Sequence, residues 1–154
     1  MLEIIGVHDC RVDSKGRVML PSALKSQLET IISEGFIIKR SIFQPCLELY
    51  PKSEWNRAAK GVNKLNRFVK KNNDFIRVFM AGVREVVTDS TGRIQIPKDL
   101  AQFASISGDV VLASALNIIE IWDKEKYEAS IRESLPDFSQ LAEDVMGQIN
   151  ETED

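Results

Sequence analysis

Apolar and polar residues alternate with a period of two in two short runs. In the first, Val18 and Leu20 share one strand face and Arg17 and Met19 the other. In the second, Ile94 and Ile96 lie opposite Arg93 and Gln95. Apolar stretches over residues 4–12 and 83–87 lead toward these runs, and Asp-Ser-x-Gly intervenes each time. Asp and Ser can hydrogen-bond their own backbone in a turn, and Gly takes positive φ without steric penalty. The pattern predicts two tight β-hairpins. Pro21 and Pro97 end the exit strands and open short helices, the first with Leu24 and Leu28 on one face. Further strands are predicted over residues 36–38 and 46–50, and again over 110–112 and 118–122. Elsewhere the period lengthens to that of a helix. Trp55, Ala58, Ala59, Val62 and Leu65 form one stripe. Phe68, Phe75 and Phe79 form a second, which Gly82 is placed to end. Tyr127, Ile131 and Leu135 form a third, stopped before Pro136, and Phe138, Leu141, Ala142, Val145 and Ile149 a fourth.

The two hairpins are copies of one another. Val12-Asp13-Ser14-Lys15-Gly16-Arg17-Val18-Met19-Leu20-Pro21 and Thr88-Asp89-Ser90-Thr91-Gly92-Arg93-Ile94-Gln95-Ile96-Pro97 share Asp, Ser, Gly, Arg and Pro at a constant offset of 76. Leu47-Glu48-Leu49-Tyr50 then matches Ile119-Glu120-Ile121-Trp122 at an offset of 72, and Trp55 matches Tyr127. The chain is an internal duplication, and this governs every other reading of it. Residues 1–76 hold the first repeat and linker helices, 77–136 the second repeat, and 137–154 a helical extension.

Composition adds a constraint through where the charge lies. The net charge of −3 argues at first against a nucleic-acid partner. Residues 137–154, however, hold Asp137, Glu143, Asp144, Glu151, Glu153 and Asp154 and no Lys or Arg, so residues 1–136 carry +3. A mildly basic body is compatible with phosphate contact, as it is with an ordinary solvated surface. No apolar run is long enough to span a bilayer, and residues 1–6 lack the pattern of a signal peptide. A cytoplasmic, nucleoid-associated protein is expected. Cys10 and Cys46 lie in apolar strand-like runs and read as small buried hydrophobes.

No usual phosphate loop is present. His8 is the only histidine, and with two distant cysteines it has no metal-site partners, so it reads as structural or surface. No cofactor, metal or small-molecule substrate is expected, and nothing in the residues points to an enzyme. The candidate chemistry lies in the hairpins. Arg17 and Arg93 carry planar five-donor forks suited to phosphate or to guanine in the major groove. Lys15 would add a phosphate contact, which Thr91 replaces in the second copy, and Arg11 and Arg84 could widen the basic surface. Asp13, Gly16, Asp89 and Gly92 shape the turns. Asp13–Arg17 and Asp89–Arg93 can equally be ion pairs that only fasten each turn. Lys60, Lys64, Arg67, Lys70 and Lys71 read as the solvated face of the linker helices or as a track for DNA.

At Asp13-Ser-Lys-Gly-Arg17 and Asp89-Ser-Thr-Gly-Arg93 the sequence resembles the MraZ family, bacterial regulators of the division and cell-wall gene cluster. The family's mark is a D-x-x-x-R motif in each of two repeats. The likeness extends over roughly residues 1–135 and includes Leu47-Glu48-Leu49-Tyr50-Pro51, Trp55, and Arg77-Val78-Phe79-Met80. It implies an α+β fold: a pseudo-twofold, swapped-hairpin β-barrel of the AbrB type, from two repeats, with linker and C-terminal helices. It also implies closed homo-oligomeric rings that bind short G-rich direct repeats of promoter double-stranded DNA, and it favours the arginines as DNA contacts. A different class of function stays open beside it: an oligomeric interaction module that docks a partner through the acidic extension.

Overall fold

The structure is a computed structural model that describes residues 2–153, with side-chain surroundings defined over residues 2–149. The side chains of Glu151 and Glu153, and Asp154 altogether, lie outside the described residues. The contacts divide the chain into two compact units, Met1–Lys124 and Glu125–Asp154.

In the first unit each repeat contributes a hairpin, a short helix and two further strands. The first repeat holds β1 (Val7–Arg11), β2 (Arg17–Met19), α1 (Ser22–Gln27), β3 (Phe36–Arg40) and β4 (Leu47–Pro51). The helices α2 (Lys52–Asn63) and α3 (Lys70–Phe79) follow. The second repeat holds β5 (Arg84–Val86), β6 (Arg93–Gln95), α4 (Lys98–Phe103), β7 (Asp109–Ala115) and β8 (Ile118–Asp123). Pro21 and Pro97 take extended φ/ψ immediately before α1 and α4, the same dihedrals within a few degrees.

The repeats are interleaved. One antiparallel sheet runs β1-β7-β8-β4-β3-β5, and β2 and β6 form a separate two-stranded ribbon. The entering strand of each repeat therefore pairs with the other repeat: β1 with β7, and β5 with β3. Both contacts between equivalent strands are self-complementary. Val18 faces Ile94 at the centre of the ribbon, and Glu48 faces Glu120 where β4 meets β8. A pseudo-twofold thus relates the repeats, and one apolar core lies between them. Val18, Leu20, Leu24 and Leu49 of the first repeat pack there with Ile94, Ile96, Leu100 and Ile121 of the second. The period-two and Pro-helix expectations hold here, since every predicted inward residue of the ribbon is buried.

Three details depart from the sequence reading. Residues 4–12 do not form one strand: Gly6 adopts φ +134°, and Ile4 instead bridges Leu116. Phe68 does not join the helical stripe of Phe75 and Phe79. The Asn66 side chain accepts the Phe68 N–H at 2.9 Å, and Asn72 and Asn73 donate to the Asn66 and Arg67 carbonyls. These bonds turn the chain before α3 begins, leaving Phe68 99% exposed. Third, β3 carries a wholly buried lysine, Lys39, whose Nζ lies 3.2 Å from Glu48 Oε1 and 4.9 Å from the centre of the Phe79 ring. Trp55 stacks on Phe79 and meets Tyr50 edge-on, so the linker aromatics close over this face of the sheet.

The second unit comprises the rest of α5 (Lys124–Ser134) and α6 (Phe138–Glu153). Pro136 separates the two helices, and α5 buries no residue. Phe138, Leu141, Val145 and Met146 of α6 are exposed.

Candidate nucleic-acid interface

Both hairpin turns are built by one carboxylate. Asp13 Oδ1 accepts the Lys15 and Arg17 backbone N–H groups at 3.0 and 2.9 Å, and Oδ2 accepts Arg17 Nε–H at 2.8 Å. Asp89 repeats this with Thr91 and Arg93 at 3.0, 2.9 and 2.9 Å. The backbone closes each turn identically, with Asp N–H to Arg O at 2.9 Å and Gly N–H to Asp O at 3.0 Å. Gly16 and Gly92 sit at φ +81° and +87°, where a side chain would be strained. The Arg17 backbone N–H, then its guanidinium and the Lys15 N–H, hold the Asp13 carboxyl below its ordinary range against the opposing effect of burial. Asp89 is lowered further, first by the Arg93 N–H and then by the Thr91 hydroxyl, which donates at 2.8 Å.

This geometry leaves each arginine half used. Only Nε is committed to the carboxylate, and the terminal nitrogens have no hydrogen-bond partner among the described residues. The ribbon register then sets the two forks together. Arg17 pairs with Gln95 and Arg93 with Met19, so both arginines occupy the face opposite buried Val18 and Ile94. They are diagonal neighbours about 7–8 Å apart. An ion pair and an open fork edge therefore coexist in this fold: the carboxylate holds Nε and leaves the terminal nitrogens unbonded among the described residues.

Other basic residues fall around the ribbon unevenly. Lys15 is exposed on the first turn, and its carbonyl accepts Gln95 Nε2–H at 2.7 Å. Arg11 borders the same turn and pairs with Asp109 at 3.1 Å. Arg84 lies on β5, bonded to Asp99 at 3.0 Å and to the Val83 carbonyl, and lines neither cleft beside the first turn. The residues that sequence reasoning missed come from pairing between repeats. Lys25 of α1 lies against Gly92, its Nζ 2.9 Å from where a Cβ would stand. Lys98 and Gln95 line a cleft of about 720 Å³ with Asp13 and Lys15. Only the cross-repeat ribbon brings these positions together. Among the described residues no group of three or more His, Cys, Asp or Glu is placed to hold a metal, and no helix is long and apolar enough to cross a membrane.

Two equivalent Asp-x-x-x-Arg turns, paired across one ribbon between interleaved repeats, define a two-repeat swapped-hairpin protein. The family model described as "MraZ protein, putative antitoxin-like" matches residues 4–78 and 79–148. A protein from Flavobacterium psychrophilum, named Transcriptional regulator MraZ, is 60% identical over 153 residues, covering 99% of this chain and 98% of that one. A namesake from Christiangramia forsetii is 58% identical over 96% of this chain and 95% of its own. One from Bacteroides thetaiotaomicron is 36% identical over 97% and 96%. The chain belongs to the MraZ family.

Proposed function

We propose that this protein is a sequence-specific, double-stranded-DNA-binding transcriptional regulator, like the relatives that carry that name. Its mechanism follows from the ribbon. A two-stranded β-ribbon fits the major groove, where Arg can bond guanine O6 and N7 bidentately. Arg17 and Arg93 supply that contact through their terminal nitrogens while Asp13 and Asp89 hold the Nε edge. Lys15 and Arg11 add phosphate contacts near the first turn, and Arg84 widens the basic surface from β5. The target is a G-rich direct repeat in the promoter of the division and cell-wall gene cluster, and occupancy there represses transcription in the nucleoid. A closed homo-oligomeric ring multiplies the few charges one subunit can offer. The observation that carries this reading is the pair of guanidinium forks on one face of the ribbon, each bonded to an aspartate at its Nε edge and unbonded at its terminal nitrogens among the described residues.

The test is DNA binding by fluorescence anisotropy with the native upstream region, for wild type, Arg17→Ala and Arg93→Ala. Each substitution removes about 1–3 kcal/mol of base discrimination, so Kd rises about 5- to 150-fold and preference for the G-rich repeat over scrambled DNA falls. Lys15→Ala instead weakens all sequences alike and lowers the salt slope by about 1. Unchanged discrimination in both arginine variants rules the reading out.

A further inference from the structure

The duplication extends beyond the strands to the helices that follow them. α2 follows β4 as α5 follows β8, with Trp55 and Tyr127 in corresponding places, and a second helix follows each: α3 and α6. The two helix pairs have diverged to opposite charge. Residues 52–80 hold eight Lys and Arg against two Asp and Glu, a net of +6. Residues 124–154 hold three against nine, a net of −6. The two blocks cancel, so the remaining residues, 1–51 and 81–123, carry the whole chain's −3, and these blocks are the main charge asymmetry of the sequence.

Each block also carries an apolar surface. Between α2 and α3 lies a groove of about 500 Å³ floored by Trp55, Val62, Ile76 and Phe79, with Lys60 and Arg67 at its edges. Beside it Phe68, Phe75 and Val78 are exposed. On α6, Phe138, Leu141 and Val145 fall at i, i+3 and i+7 with Met146 beside them, one stripe on a 16-residue helix. Glu143 and Asp144 flank that stripe. An apolar groove with a basic rim and an apolar helix stripe with an acidic flank are complementary in charge and share an apolar centre.

From this pairing we propose that the acidic helix α6 of one copy docks into the α2–α3 groove of a second copy. The surface given is not the surface received, so the contact is heterologous. Repeated head to tail, it generates a ring if the rotation closes. The pseudo-twofold supplies the reason one chain carries both halves: equivalent helix pairs, one basic and receiving, one acidic and inserting. The inference rests on the oligomeric part of the function proposed above and assigns that assembly its surface.

Charge reversal with rescue tests it on the full chain. Native mass spectrometry and light scattering are run on wild type, Lys60→Glu/Arg67→Glu, Glu143→Lys/Asp144→Lys, and the combined four-fold variant, each checked for folding by circular dichroism. Wild type assembles; each double variant assembles at least tenfold more weakly; the four-fold variant recovers to within a few-fold of wild type. Leu141→Ser/Val145→Ser, which leaves charge untouched, also dissociates the assembly. Variants that assemble like wild type overturn the docking but leave the ring standing, and so does a four-fold variant that fails to recover. A wild type that stays monomeric at all concentrations overturns both.

Discussion

At each motif one aspartate makes two kinds of bond: it accepts backbone N–H groups of the turn and it holds the Nε edge of an arginine. A purely electrostatic view and a geometric view of Asp13 make opposite forecasts. Removing a negative charge beside a polyanion should tighten DNA binding; removing the carboxylate that bonds two backbone N–H groups and Nε should release the fork and weaken it. Asp13→Ala is expected to weaken binding by roughly tenfold through lost preorganisation, and tighter binding in anisotropy would refute the geometric view. The pH dependence follows the same bonds. Both carboxyls are held below the ordinary value of 3.8, so their contribution to turn stability is complete above that pH and is lost as pH falls through their folded-state values. Carbon-detected NMR titration should find both below 3.8, with Asp89, which has the additional Thr91 hydroxyl, the lower of the two. These motif residues were legible in the sequence because turn chemistry is local. Lys25 and Lys98 were not, since nothing in residues 22–28 or 97–104 says which turn of the other repeat they will meet.

Among the elements, period-two and Pro-led patterns were readable because burial and turn geometry act over a few residues. Pairing was not, because hairpin exchange between repeats is decided by the shared core at long range. The junction of β4 and β8 shows the consequence. Interleaving sets Glu48 directly opposite Glu120, a like-charge pair that destabilises a sheet if left alone. Lys39 offsets it: its Nζ bonds Glu48 Oε1 at 3.2 Å and the Arg40 carbonyl at 2.6 Å, while Trp122 Nε1–H donates to Glu120 at 3.0 Å. Sequence pattern alone placed Lys39 in no site, because a lysine after three apolar strand residues reads as a strand end. Lys39→Met leaves Glu48, beside Glu120, with only the Tyr50 hydroxyl at 3.3 Å and no cation, and should cost about 3–5 kcal/mol in urea unfolding. Adding Glu48→Gln should restore most of that loss. A Lys39→Met protein as stable as wild type would mean that the carboxylates are relieved by the Tyr50 and Trp122 donors or by water and not by the lysine.

For the whole molecule, the proposed function makes binding strength depend on how many ribbons meet DNA at once. One subunit presents two forks and few further cations, and each phosphate neutralised adds only about 0.9 to the logarithmic salt slope. Linked subunits convert each later contact into an intramolecular one, with gains of about 10²–10⁴ when the spacing permits simultaneous engagement. Assembly and DNA affinity should therefore separate cleanly in a variant that keeps both hairpins but cannot associate. Glu143→Lys/Asp144→Lys changes only residues of α6 and leaves Arg17, Arg93 and Lys15 in place. On DNA with one repeat it should bind within about threefold of wild type, the small gain from added positive charge included. On DNA with three correctly spaced repeats, wild type should gain at least about a hundredfold over its single-repeat affinity, and the variant almost nothing. The four-fold charge-reversed protein, reassembled, should regain the multi-repeat advantage. If the dissociated variant binds three repeats as tightly as wild type, each subunit reads DNA independently, and the opposite charges of the two helix pairs serve some purpose other than bringing hairpins together on one duplex.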